Sequence, residues 1–134
     1  MTPRTRSMSV VDVAARRAEA VAYLDAARLL ATSDDHADRK VSGSNAVLGG
    51  IAAADAICGH LLGLRHAGED HGEARRLVDT ACRPDRQPGL QLKRLLDEKT
   101  NFQYSASRVT DTQVQTLLTA LERLVARMDE QLRR

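Results

Sequence analysis

The chain has 134 residues, of which 43% are hydrophobic and 28% charged, with a formal net charge of +2. These values describe one globular domain with a real core and exclude a disordered chain. Twenty basic residues against 18 acidic ones, with only 2% aromatics, exclude a binder driven by a basic surface or by stacking on unpaired bases.

Met1–Met8 is short and polar, reads as a flexible arm, and is not a secretory leader. Ser9 is placed to cap a first helix running to about Thr32. Its apolar stripe is Val10, Val13, Ala20, Leu24, Ala27 and Ala31, which puts Arg16, Arg17 and Glu19 on the solvated side. Ser33–Ser44, rich in Asp, Ser and Gly, reads as a loop. From about Asn45 to Leu64 a second helix carries almost no charge. Such a helix must be covered on most sides, so it is the central element, with Gly49 and Gly50 allowing close backbone approach.

Asp70 with Glu73 has capping-box spacing and opens a short third helix. Arg83–Gly89 holds two prolines and a glycine and breaks the chain. A fourth helix follows from about Leu90 to Phe102. Thr110 with Gln113 opens the last one, whose stripe Val114, Leu117, Leu121, Leu124 and Met128 is the strongest periodic signal present. The expected fold is all-α: a four- to five-helix up-and-down bundle over residues 9–134, without strands. No run approaches a membrane span in length, and Cys58 and Cys82 have no metal-ligand spacing, so a cytoplasmic chain with reduced thiols is expected.

Three polar side chains fall on inward-facing positions. Asp55 lies one turn from Ile51 and Cys58. Lys99 extends the stripe of Leu92, Leu95 and Leu96. His71 precedes Ala74 and Val78 by three and seven residues. A buried charge is costly unless paired, so a network in which Asp55 faces Lys99, His71 or both is one reading. A capping aspartate, a snorkelling lysine and a half-exposed histidine form the other. Cys58 and His60 point to different sides of one helix, and His66, Asp70 and His71 lack a zinc spacing, so neither a metal nor a cofactor is expected. Gly-rich phosphate loops and nucleophile elbows are missing from the sequence.

The segments AVAYLDAARLLA (Ala20–Ala31), VLGGIAAADAICGHLLG (Val47–Gly63), EDHGEARRLV (Glu69–Val78) and LKRLLDEKTNFQYS (Leu92–Ser105) resemble the HEPN superfamily of helical bundles. The nearest pattern is that of a small actinobacterial HEPN-like group. The resemblance covers the chain from about Val10 onward. It implies a dimeric bundle acting in bacterial toxin–antitoxin, defence or stress systems.

Many members of that superfamily are ribonucleases with an Arg followed, four to six residues on, by a His. Lys99 and Tyr104 stand at those two positions here, and a phenol titrating near 10 is poorly suited to acid–base work at neutral pH. The resemblance therefore implies a non-catalytic binding or regulatory module. As a homodimer it would act with a nucleotidyltransferase-type protein, or with a nucleotide or RNA held near Asp55, His71, Lys99 and Tyr104. Two rivals stand beside it. One is a metal-independent ribonuclease using Arg65 and His71, or Lys99 and Tyr104. The other is a structural dimerisation bundle whose polar interior only sets helix register.

Overall fold

A computed structural model describes residues 4–134. The part of the expected arm formed by Met1–Pro3 lies outside the described residues. The elements, in chain order, are β1 (Thr5–Ser7), α1 (Val10–Ala31), α2 (His36–Leu62), β2 (Leu64–His66), α3 (His71–Cys82), α4 (Gln87–Asp97), α5 (Lys99–Gln103) and α6 (Asp111–Leu132). The fold is an all-α bundle, as the periodicities predict.

Local chemistry sets the helix starts. Ser9 and Asp12 form a reciprocal capping box on α1, and Thr110 and Gln113 form another on α6. Asp70 accepts from the Glu73 N–H and so caps α3. Gly63 follows α2 at φ 69°, the left-handed conformation that ends helices cleanly and that glycine adopts without strain.

Besides the helix expected from Leu90 to Phe102, which breaks at Glu98 into α4 and α5, two expectations are corrected. Only Ser33–Asp35 of the expected Ser33–Ser44 loop is non-helical, and His36–Ser44 belongs to α2. Asp35 accepts from the N–H groups of Ala37 and Asp38, at 2.7 and 3.3 Å, and starts α2 nine residues earlier than expected. Ser42 is 1% exposed and donates to the Ala27 carbonyl at 2.6 Å, so its polarity is consumed inside the bundle. The second correction concerns strands. β1 and β2 form a short antiparallel ribbon with Thr5 opposite His66, Arg6 opposite Arg65 and Ser7 opposite Leu64. The arm is thus tied down from Arg4, whose carbonyl accepts from the Ala67 N–H, to Met8, which packs against the core.

Helix α2 is the hub, packed against α1, α3, α4, α5, α6 and β2. An 18-residue window of this helix, at a mean hydropathy of 1.4, is long and apolar enough to cross a membrane by length and composition alone, contrary to the sequence reading. However, 67% of that window is buried within the bundle, as a central core helix requires. Small residues let it be surrounded: a Cβ on Gly50 would stand 2.5 Å from Leu95 Cδ1, and one on Gly49 would stand 2.9 Å from Leu121 Cδ2. α1 runs antiparallel to α6, held at the surface by Arg17–Asp129 and Arg28–Glu122. Those exposed pairs add little; Leu117, Leu121, Leu124 and Met128, all at most 1% exposed, carry the packing.

Candidate functional site

The end of the bundle where α2 meets the ribbon holds a cavity of about 270 Å³. Its floor is aliphatic: Ile51, Ala54 and Cys58 from α2, Val78 from α3, and Leu92 and Leu96 from α4. Its polar wall is assembled from separate elements and connections. Arg16 stands on α1, Asp55 on α2, Arg65 and His66 on β2, Glu69 in the loop before α3, His71 on α3 and Lys99 on α5. Asp55, His71 and Lys99, picked out on separate helices by their inward positions, therefore line one space.

They do not form the expected network. The partner of Asp55 is Arg16, whose Nε and Nη2 both reach Asp55 Oδ2, at 3.1 and 3.0 Å. Arg16 sits on the edge of the α1 stripe with its side chain 26% exposed, so the expected solvated placement is wrong for this residue. A guanidinium can reach inward from such an edge position because its three-carbon stem lies along apolar surface. Glu19 pairs with the same guanidinium from outside. Burial raises the Asp55 carboxyl above its ordinary value of 3.8, and the Arg16 charge and hydrogen bond pull it only part of the way back.

The other expected site residues divide. Arg65 and His71 share the cavity, with His71 at its exposed rim. Tyr104 is 74% exposed and does not line the cavity, so Lys99 and Tyr104 are not brought to one place. The break is local: α5 ends at Gln103, and Phe102, 3% exposed, takes the inward position instead.

Sequence reasoning misses Arg16, His66 and Glu69 as members of this wall. His66 has a signal only in retrospect, since it ends a strand that no pattern announces. Its Nε2 is buried without a hydrogen-bond partner, which leaves one polar atom of the wall available to a guest.

The floor is chemically quiet. Burial pushes the thiol of Cys58 up, and that of Cys82, outside the lining, up to about 11, so neither is a thiolate nucleophile at neutral pH. No group of three His, Cys, Asp or Glu side chains is placed to hold a metal ion among the described residues. With the charge of Asp55 answered by Arg16, the wall keeps Arg65, Lys99 and Glu69 as charged groups, together with the imidazoles of His66 and His71. Such an arrangement can hold an anionic group over an apolar body.

In comparison with known proteins, no family model, no curated protein and no solved structure matches the chain.

Proposed function

We propose that this chain is a cytoplasmic, non-catalytic, HEPN-like binding module, and that its ligand is a small organic anion held in the cavity beside α2. The observation supporting this is the composition of the wall: cations from two elements, Arg65 and Lys99, face an aliphatic floor while the one buried carboxylate is already satisfied. A nucleotide stays within this class, its phosphate meeting Lys99 and Arg65, but Tyr104 supplies no ring face to its base. The regulatory setting in toxin–antitoxin, defence or stress systems, with a nucleotidyltransferase-type partner, is part of the same reading and rests on the resemblance.

Thermal denaturation with AMP, ATP, hexyl phosphate and a short RNA tests it. A ligand at one hundred times its Kd stabilises by about 2.7 kcal/mol, a shift of several degrees for a domain of this size. At least one of the four is expected to give that shift, with Lys99→Met removing it and Tyr104→Phe leaving it intact. No shift with any of them overturns the reading.

One observation favours a second reading: Arg65 and His71 line the same cavity as Lys99, which would allow a metal-independent ribonuclease. Bulk RNA cut by the wild-type chain and left whole by His71→Ala would replace the binding module with that enzyme.

The homodimer belongs to the proposal too. Val10 and Val11, 87% and 77% exposed, open α1 at the end of the bundle where α2 closes with Leu62, 37% exposed. Three exposed aliphatic side chains at one end are a candidate contact face. Light scattering is expected to give twice the 14.7 kDa chain mass, and Val11→Asp to return one chain. A monomeric wild type at tens of micromolar removes the dimer and leaves the cavity reading standing.

A further inference from the structure

We propose that the β1–β2 ribbon is an oxyanion clamp, in which Arg6 and Arg65 together grip the phosphate group of a small molecule. The register sets these two arginines directly opposite each other. Opposite residues of an antiparallel pair share one face with their Cβ atoms about 5 Å apart, and like charges so placed are destabilising. A ribbon of three residues per strand has little pairing energy to absorb that repulsion.

Neither arginine has a carboxylate at ion-pair distance among the described residues. Among the described residues, the one hydrogen bond of the Arg65 side chain is an Nη1 donation to the neighbouring His66 carbonyl at 3.2 Å. Two guanidinium forks on one face suit an oxyanion, and a phosphate has enough oxygens to accept from both forks at once.

The surroundings define the guest further. Arg6 and Arg65 face a groove of about 320 Å³ shared with Arg16, Asp12 and Glu19. Asp12 accepts from the Ser9 N–H at 2.9 Å and also feels the Arg65 charge, and Glu19 pairs with Arg16. Neither reaches Arg6 or Arg65 at ion-pair distance, and both flank the pair with negative charge. One phosphate fits between the arginines, whereas a run of phosphates along the groove would meet Asp12 and Glu19. That flank, together with a net charge of only +2, favours a small phosphorylated molecule over a nucleic acid. Arg65 lines both the groove and the cavity, but Arg6 lines only the groove, so the response of Arg6 distinguishes the clamp from an anion held in the cavity.

The test follows the Nε–H resonances of the full chain by ¹⁵N NMR. Inorganic phosphate and glycerol 2-phosphate are titrated against sodium chloride of equal ionic strength, with a short RNA as a separate arm. Saturable shifts of the Arg6 and Arg65 signals with both phosphates, and none with chloride, are expected. Arg6→Gln should weaken the phosphate Kd at least tenfold. Arg6→Glu should abolish binding and at the same time raise the ligand-free Tm, because its carboxylate answers Arg65 as the phosphate would.

Shifts that track chloride, or a lower Tm in Arg6→Glu, would mean two solvated arginines and overturn the clamp. RNA binding more than tenfold tighter than glycerol 2-phosphate would replace the small molecule with a nucleic acid. Loss of the AMP or hexyl phosphate response in Lys99→Met, with the ribbon shifts intact, would separate the cavity from the clamp.

Discussion

Gly43→Ala is expected to lower stability by about 1–3 kcal/mol, although alanine is the better helix former. In an unobstructed helix interior the change would gain about 1 kcal/mol. At Gly43 the added Cβ would stand 2.0 Å from Cδ1 and 2.1 Å from Cε1 of the Phe102 ring. Phe102 is 3% exposed, so its ring cannot swing aside without moving α5. Displacement of the ring therefore outweighs the propensity gain, and Tm should fall by about 5–10 °C.

Phe102→Ala alone should cost about 3–5 kcal/mol through the cavity it leaves. The informative variant is the pair. With the ring gone, Gly43→Ala should become stabilising by about 1 kcal/mol on the Phe102→Ala background. Urea denaturation of the four proteins measures this, and a Gly43→Ala effect of the same sign in both backgrounds would mean that the ring is not the obstacle.

Arg16→Met is expected to cost about 2–3 kcal/mol at pH 7, because it takes from the buried Asp55 carboxylate its one ion-pair partner and leaves only the weaker influence of Arg65 and His66. Asp55 is 7% exposed and no other cation reaches it at ion-pair distance among the described residues. The sign with pH follows from the raised Asp55 pKa. Between the unfolded value near 3.8 and the higher folded value, the folded chain binds more protons than the unfolded one. The contribution of Asp55 to stability is therefore fully present below about 3.8 and declines as pH rises through the folded pKa.

Removing Arg16 raises that folded value further, so the deficit of Arg16→Met should shrink steadily as pH falls from 7 towards 4. Asp55→Asn, which can still accept from Arg16 without a desolvated charge, should equal or exceed the wild type at pH 7. On that background Arg16→Met should cost under about 1 kcal/mol. Urea midpoints at pH 4, 5.5 and 7 decide the matter. An Arg16→Met deficit that does not change with pH, and that persists in the double variant with Asp55→Asn, would show that the arginine contributes packing rather than charge.

What can be read from the chain alone is local chemistry and periodicity. Ser9, Asp70 and Thr110 announce helix starts because a cap and its target lie three residues apart. The stripe of α6 announces its buried face because every member sits in one helix. His36–Ser44 misleads for the same reason. Its Asp, Ser and Gly content resembles a turn, and only the tertiary structure reveals that Ser42 bonds to α1 and that Gly43 makes room for Phe102.

The ribbon is invisible in the sequence, since Thr5-Arg6-Ser7 has neither alternation nor length. In the candidate site, helical spacing turns Asp55, His71 and Lys99 inward but cannot say which helix faces which. Spacing accordingly gives Asp55 the wrong partner, and it overlooks Arg16 by assigning that side chain to solvent.

The hub position of α2 bears on how the cavity would choose its contents. Ile51, Ala54 and Cys58 belong to the helix on which every other helix rests, so that wall can yield no more readily than the whole molecule unfolds. Under the proposed binding role, accommodation of differently shaped guests would fall instead to the short pieces opposite, the ribbon end and the first turn of α3. A recess with one unyielding side and one adjustable side discriminates by depth at the first and by charge at the second.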